Sequence, residues 1–305
     1  MADINRTTNS MALPSDISSE ILQKTQEESA IMRLARQIAL PGRGVTIPVI
    51  TGDPTAAWVA ETGAKPVSNG TPGTKLMSAF KIAVIETFSN EFVRDARGLY
   101  DALIQRLPGA LAGVFDSTVI GATQAPSQTN FDTFASCTAQ SILNANNGTY
   151  TGLVAADADI AAHGGVMNGL ALGAQARALL LTAVDTTNRP LFLASANDGV
   201  VDKVLGVPTY FNKNLYKAGT AAVGQTAGTP AIVGVAGNWS QAMYGTVEGV
   251  QISVTDTATL SVGSGNNATT INLWQQNMVA VRAEIEVGFR ADTSCFNLLT
   301  GAIPT

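Results

Sequence analysis

The feature that most constrains the fold is an alternating segment near the C-terminal end of the chain. Between residues 279 and 289 every odd position is apolar, and charged side chains stand at the even positions Arg282, Glu284 and Glu286 and, just after this segment, at Arg290. Strict alternation with period two predicts a β-strand with one buried and one solvated face. The segment is longer than the usual strand of five to six residues, so we expect it to organise a sheet.

A second extended unit precedes the middle of the chain. Residues 45–50, 56–61 and 76–88 have extended character, and residues 62–75, TGAKPVSNGTPGTK, are rich in turn formers. We therefore predict a long hairpin with a broad tip. A two-stranded ribbon is only marginally stable in water, because nothing covers its faces. We expect this ribbon to lie on another molecule.

Two segments have helical periodicity. After a polar start over residues 1–15, apolar residues recur every three or four positions over residues 15–38. In residues 90–122 leucines recur every four positions, and Pro108 is expected to kink that helix or to begin its second half. We expect residues 99–120 and the strand at 279–289 to form one rigid core.

The remainder is of mixed α/β type. Helices are predicted at residues 153–163 and 172–184, extended segments at 191–194 and 204–211, and surface loops at 218–230 and 263–270. The fold class predicted from these patterns is α+β.

Charge is scarce in this chain of 305 residues. Charged residues make up 13% of the sequence, with a formal net charge of -5, whereas average soluble proteins have about 25%. Interface centres are depleted in charge, so a chain that is poor in charge throughout is expected to bury much of its surface against partners. The composition favours a subunit of an assembly.

The same composition argues against other classes. A negative net charge argues against binding nucleic acid through a basic face. The long uncharged stretches are rich in Gly, Thr and Asn rather than apolar, so no membrane span is predicted. The first residues, MADINRTTNS, lack the pattern of a signal peptide, which favours a protein made in a cytoplasm.

Residues that could support chemistry are few. His163 is the sole histidine and precedes two glycines, which is typical of a helix C-terminus. A hydrolase that uses His163 is the alternative reading, but the sequence has no G-x-S-x-G. Cys137 and Cys295 are far apart and outside any C-x-x-C. This spacing favours small buried hydrophobic residues over a disulfide or a metal site. We predict no catalytic residue, no metal site and no cofactor.

The sequence favours contacts between protein surfaces over a catalytic site. Trp58 lies on the predicted ribbon, where an aromatic side chain either anchors an interface or packs against its own chain. The candidates for contact between subunits are the ribbon residues Trp58, Glu61, Lys65, Lys75, Phe80 and Lys81. The charged ones are either ordinary solubilising residues or half of a set of ion pairs between subunits.

The order of five segments resembles the major capsid proteins of tailed bacteriophages, with the Hong Kong 97-type shell fold. The segments are LPSDISSEIL at 13–22, VTIPVITGDPTAAWVAETGAKP at 45–66, FKIAVIETFSNEFVRDA at 80–96, KVLGVPTYFNK at 203–213 and NMVAVRAEIEVGFRADTSCFNLLTG at 277–301. The resemblance implies an N-arm at 1–44, an E-loop at 45–88, a peripheral domain at 89–149 and 271–305 with a spine helix at 89–122, and an axial domain at 150–270.

The resemblance implies a structural subunit that forms pentamers and hexamers of an icosahedral shell around double-stranded DNA. The implied partners are identical subunits, a portal protein, a separate scaffolding protein, a decoration protein and the packaged DNA, with no membrane. The implied location is the virion capsid, assembled in the host cytoplasm. An encapsulin-type nanocompartment shell is the alternative with the same fold.

Two further expectations follow from the comparison with that family. Many members begin with a scaffolding segment that a protease removes, whereas this chain enters the N-arm directly after Met1, so scaffolding is expected to be separate or unused. Some members link the E-loop to a neighbour through a Lys-Asn isopeptide bond. Lys65 and Lys75 lie on the loop, but no partner Asn or assisting Glu can be matched, so covalent linking is not expected.

Overall fold

The computed structural model describes residues 29–302 apart from 43, 53–54, 60, 62–63, 66, 69–70, 96–103, 144–147, 186, 188, 193–202, 223–226 and 263–268. Within this part the helices are α1 (Ala30–Leu34), α2 (Asn90–Asp95), α3 (Leu107–Val119), α4 (Gly148–Ala162) and α5 (Ala174–Leu181).

The strands of the described part are β1 (Arg36–Ala39), β2 (Val45–Gly52), β3 (Thr71–Met77), β4 (Phe80–Ser89), β5 (Thr138–Ser141), β6 (Gly169–Leu172), β7 (Lys203–Val204), β8 (Val207–Phe211), β9 (Ile232–Gly237), β10 (Ala242–Thr246), β11 (Gln251–Thr255), β12 (Thr259–Val262), β13 (Thr269–Asn272), β14 (Met278–Ala291) and β15 (Phe296–Thr300).

The long strand β14 organises a five-stranded sheet, as the alternation predicts. It pairs antiparallel with β4 from Met278↔Ser89 to Val287↔Phe80, and also with β10 and β11, while β1 adds to β10 in parallel. The side chains of Val281, Ala283, Ile285 and Val287 are buried. The first three pack with Leu107 and Leu111 of α3. The predicted core of helix and strand is therefore present.

The solvated face of β14 is shorter than the alternation predicts. Arg282 is exposed, but Gly288 and Arg290 are buried like their apolar neighbours. Both faces of the strand are covered at this end, because β3 and the segment around Asp132 lie against it. The assignment of Arg290 to a solvated face was wrong.

A second sheet has the order β5-β15-β9-β6-β8-β7. Leu153, Ala156 and Ile160 of α4 and two residues of α5 contribute to its buried cluster. An aromatic cluster that includes Phe115, Phe134, Phe289, Phe296 and Trp239 joins this sheet to the first one.

The chain crosses between the two sheets more than once. Strand β14 lies in the five-stranded sheet and β15, a few residues later, in the six-stranded sheet. Strand β9 lies in the second sheet, whereas β10, which follows it, lies in the first. The predicted division into 89–149 with 271–305 and 150–270 stays a prediction.

The N-terminal helix prediction was partly wrong. Residues 15–28 lie outside the described part, and α1 ends at Leu34 instead of reaching residue 38. Ala35 is extended, and Arg36–Ala39 form β1, which pairs with Met243–Thr246 of β10. Tertiary pairing with a neighbouring strand overrides helical periodicity here.

Other predicted boundaries also changed. In the predicted helix 90–122, α2 ends at Asp95 and residues 96–103 lie outside the described part. The helix α3 has Pro108 in its first turn, so of the two alternatives, a kink or the start of a second half, Pro108 begins the second half. The predicted strand 204–211 contains a tight turn at Leu205 and Gly206, both with positive φ, which separates β7 from β8. At 191–194 the described residues, Leu191 and Phe192, form a bend and not a strand.

Candidate assembly surfaces

A two-stranded ribbon projects from the five-stranded sheet. Strands β2 and β3 pair antiparallel from Val45↔Met77 to Gly52↔Thr71 and form a sheet of their own. The strand β3 begins at Thr71, so the predicted tip at 62–75 extends too far into it; the connection between the strands covers residues 53–70. Thr46, Pro48, Thr74 and Leu76, which share one face, are exposed, whereas Val45 and Ile47 on the other face are partly buried. Within the described residues, one face of the ribbon therefore has no covering layer.

The base of the ribbon is fixed to the body of the protein by one buried guanidinium group. Arg290 of β14 donates from Nε to the Leu76 carbonyl oxygen at 2.9 Å and from Nη2 to the same oxygen. Its Nη1 contacts Asp132 Oδ1 at 2.8 Å, and its Nη2 contacts the Thr129 carbonyl oxygen at 2.6 Å. A buried charge with several acceptors is well compensated, and its planar fork holds several groups in one geometry. This contact fixes where the ribbon leaves the sheet.

The close approach at the ribbon base also requires a glycine. Gly44 precedes β2 and has φ +84°, in the left-handed region that side chains other than glycine rarely adopt. A Cβ atom there would collide with the carbonyl oxygen of Met77. Met77 itself is fully buried, so the ribbon is anchored at its base.

The outer part of the ribbon presents apolar side chains to solvent. Trp58 has 104% of its reference accessible area, and Val67 has 90%. Thr55 and Ser68 join the two sides through a hydrogen bond of 2.8 Å from Thr55 N to Ser68 Oγ. Residues 55–59 are not in a strand, so the extended run predicted at 56–61 does not pair within its described part. An aromatic side chain so exposed is unusual for a surface that stays in water.

The six candidate contact residues do not all lie on this ribbon. Glu61 and Lys65 are exposed near the tip. Lys75 is exposed on β3, with Nζ 3.5 Å from the Ala291 carbonyl oxygen. Phe80 and Lys81 are on β4, which belongs to the five-stranded sheet. The prediction that Lys81 stands on the ribbon with the other charges was therefore wrong, because the chain turns at residues 78–79 between β3 and β4.

Phe80 and Lys81 also have partners inside their own chain. The Phe80 ring packs edge-on against Phe131, with 6.1 Å between centroids. Lys81 Nζ lies 3.2 Å from Glu286 Oε1 and 3.4 Å from Glu284 Oε1, and Glu286 followed by Glu284 raises the pKa of the Lys81 ammonium group. Half-exposed pairs of this kind stabilise a fold only slightly, so they shape the surface charge of the sheet more than its stability.

A buried carboxylate, which the sequence reasoning did not single out, holds the start of the described chain against α3. Asp116 Oδ1 accepts from Ser29 Oγ at 2.5 Å, and Asp116 Oδ2 lies 3.2 Å from Ala30 N and 3.3 Å from Asn212 Nδ2. Burial raises the pKa of Asp116 to about 7, although the hydrogen bonds from Ser29 and two backbone amides lower it. The one signal in the sequence is an acidic residue in the apolar run LAGVFDSTV.

Stability is therefore expected to depend on pH through Asp116. Between pH about 4 and about 7 the native carboxyl holds a proton that the unfolded chain has released, so the free energy of unfolding falls as pH rises through this window. In Asp116→Asn the amide donates to Ser29 Oγ while its oxygen accepts from Ala30 and Asn212. We expect urea unfolding of that variant to show a smaller loss between pH 5 and 8, by on the order of 2 kcal/mol. Parallel pH profiles of the two proteins would contradict the assignment.

His163 has a structural role in the described chain. It follows α4, and its Nδ1 lies 2.8 Å from the Asp159 carbonyl oxygen, while Gly164 continues with φ +77°. These contacts end the helix, as the capping interpretation predicts. Cys295 is buried, and burial raises the pKa of the Cys137 thiol to about 12. Among the described residues no group of three or more His, Cys, Asp or Glu side chains is placed to hold a metal ion.

The comparisons with known proteins agree with this geometry. The Phage capsid family matches residues 9–293. The chain belongs to the phage capsid family. A probable major capsid protein of Mycobacterium phage L5 is 29% identical over an alignment of 304 residues that covers 92% of this chain and 87% of that protein. Capsid membership confirms the structural function predicted from the sequence and does not favour the encapsulin alternative.

Solved structures show the same fold. A chain from Microbacterium phage Oxtober96 superposes with a TM-score of 0.71 at 21% identity, covering 90% of this chain and 91% of that one. A chain from the capsid of a native GTA particle, computed with C5 symmetry, gives a TM-score of 0.61 at 13% identity, covering 90% of each chain. The α+β fold of this capsid protein is thus of the Hong Kong 97 type, as the order of its segments predicts.

No helix in the described ranges of this capsid protein is both long enough and apolar enough to span a membrane.

Proposed function

We propose that copies of this capsid protein form pentamers and hexamers that close an icosahedral shell around double-stranded DNA. The observation that carries the proposal is the ribbon, which is fixed at its base, is uncovered on one face and has a fully exposed tryptophan in the connection between its strands. Its exposed face needs a third layer, and a neighbouring copy supplies one. The C5 symmetry of the GTA capsid supports the pentamer.

In this proposal Trp58, Glu61, Lys65 and Lys75 contact the neighbour directly. Phe80 and Lys81 remain candidates, but they act from the surface of the sheet that receives a neighbour's ribbon, because β4 lies there. The ion pairs of Lys81 with Glu284 and Glu286 place positive and negative charges side by side on the sheet, and a neighbouring copy can present complementary charges to them. Electrostatic matching of this kind fixes the register between subunits more than it adds affinity.

The wall of the shell is expected to repel its contents mildly. The net charge of -5 disfavours tight binding of the DNA phosphates, so the shell encloses the DNA without sequence-specific binding. The protein acts as a structural subunit and carries out no catalysis. A portal protein, a separate scaffolding protein and a decoration protein complete the particle, which is assembled in the host cytoplasm.

The domains of the proposal are the N-arm at 1–44, the E-loop at 45–88, the peripheral domain at 89–149 and 271–305, and the axial domain at 150–270. The body of the E-loop corresponds to the ribbon β2–β3. The strand β4, which ends that range, pairs with β14 along ten residues.

Amide hydrogen exchange tests the contact made by the ribbon. The described residues between 55 and 68 are exposed, except for the partly buried Ser68. We therefore expect fast exchange of peptides from this range in free capsomers and at least roughly tenfold slower exchange in closed shells. Peptides from β14, which is buried in the subunit, serve as the control and should exchange equally slowly in both states. Equal exchange of residues 55–68 in both states would contradict the proposal.

A further inference from the structure

An open groove of about 850 Å³ runs beside α3, and much of its lining is polar. The polar side chains at the groove, all of which carry hydrogen-bond donors, are Gln105, Arg106, Ser117, Lys213 and Asn214. The described residues that line it include no carboxylate. Side chains of these types are among those with which proteins contact the phosphates of nucleic acids. The groove is therefore suited to an anion with many acceptor oxygens.

Three cationic side chains, which we call the basic strip, follow α3 at the groove and beyond its end. Arg106 immediately precedes the helix, and Lys213 lines the groove. Lys217 Nζ donates to the Gly121 carbonyl oxygen at 2.8 Å, just after the helix. All three side chains are exposed, and none forms an ion pair with a residue that the structure describes. The strip follows the helix for about 22 Å, over which one DNA strand presents about six phosphates.

Acidic side chains near α3 and β14 do not line this groove. Asp116, the acidic residue of α3, is fully buried and is held by Ser29. Glu248, Glu284 and Glu286 line a separate pocket beside β14. The chain as a whole has a net charge of -5, so the basic strip is a local exception to its electrostatics. A polyanion is attracted along this strip although the net charge of the chain repels it.

We propose that the basic strip contacts the phosphate backbone of the packaged double-stranded DNA. The inference rests on the proposed function, because the enclosed DNA is the polyanion, and it assigns the α3 side of the subunit to the inner wall of the shell. The contact is weak in each copy and is repeated in every copy. It involves phosphates alone, so it positions the DNA against the wall without reading its sequence.

DNA binding by the unassembled protein tests the proposal, measured as the fluorescence anisotropy of a labelled duplex of random sequence at increasing salt concentrations. Arg106→Gln with Lys213→Gln neutralises two cations of the strip. This double variant should bind the duplex at least roughly tenfold more weakly at low salt. The slope of log K against log salt should fall by roughly 1.8, because each lost phosphate contact removes about 0.9.

Arg177→Gln with Lys203→Gln is the matched control, because it removes the same net charge from exposed positions on α5 and β7, outside the groove. This variant should keep the salt dependence of the wild-type protein, and circular dichroism confirms that both variants are folded. Equal affinity and equal slope for the two double variants would overturn the proposal. Tighter binding of polyglutamate than of a duplex with the same number of charges would also overturn it, since the favoured occupant would then be an acidic polypeptide.

Electron microscopy of the same variants separates this inference from the proposed function. Both double variants should form closed shells, because the strip contacts the contents of the shell and not a neighbouring copy. Loss of shells in Arg106→Gln with Lys213→Gln alone would place the groove between copies and overturn the inference. Absence of shells from the wild-type protein would instead contradict the proposed function, while the binding measurement would still decide whether the strip holds phosphate.

Discussion

Replacing Ile285 with Asp is expected to abolish soluble expression of the folded subunit. Ile285 is 2% exposed and packs in the cluster that joins β14 to Leu107 and Leu111 of α3. An aspartate there either buries an unpaired charge or takes up a proton, and both are costly. The loss should exceed about 4 kcal/mol, which is a large part of the stability of a typical domain. The measurement is the soluble fraction together with the thermal unfolding profile.

Ile85→Asp is the matched control, because it makes the same change on the neighbouring strand. Ile85 is 49% exposed and stands opposite Arg282 in the pairing of β4 with β14. An aspartate at this position faces water and an opposite charge across the strands, so it should cost less than about 1 kcal/mol. If both variants were equally soluble, or both equally insoluble, the assigned faces of the sheet would be wrong.

Replacing Trp58 with Ala is expected to leave a folded subunit that closes few or no shells. The side chain is fully exposed and has no packing within the described chain to lose. An aromatic anchor at the centre of an interface contributes about 2–4 kcal/mol, and a shell repeats that contact at every copy. The readouts are thermal unfolding, which should be unchanged, and the yield of particles in size-exclusion chromatography.

Trp239→Ala supplies the contrast, because Trp239 is buried and donates from Nε1 to the Gly169 carbonyl oxygen at 2.9 Å. Truncating this core residue should lower subunit stability by about 3–5 kcal/mol. If Trp58→Ala destabilised the subunit as Trp239→Ala does, Trp58 would belong to the core of its own chain. Normal particle yield from Trp58→Ala would remove it from the interface.

Local periodicity in the sequence predicted the elements that are buried on one face only. The alternation of residues 279–289 predicted β14, because apolar side chains at every second residue indicate a strand with a single buried face. It did not predict that Arg290 is buried, since the ribbon base that covers it lies more than two hundred residues away in the sequence. Likewise, apolar spacing around Ile38 favoured a helix, and the pairing with β10 made it a strand.

The candidate site was predictable to a similar extent. Turn formers between extended runs predicted the ribbon, and Trp58 on it was recognised as a contact candidate. The separation of Phe80 and Lys81 from the ribbon was missed, because one continuous extended run conceals the turn at residues 78–79 between β3 and β4. The contact of Asp116 with Ser29 joins residues 87 positions apart, and no local pattern marks such a pair.

Electron microscopy of the purified protein tests the central proposal most directly. If the ribbon of each copy is covered by a neighbour, particles should be closed shells built of five- and six-fold capsomers, or capsomers that close when assembly is induced. Class averages should show the ribbon of one copy lying on the next. A population that remains monomeric under all assembly conditions, with a uniformly mobile ribbon, would contradict the account.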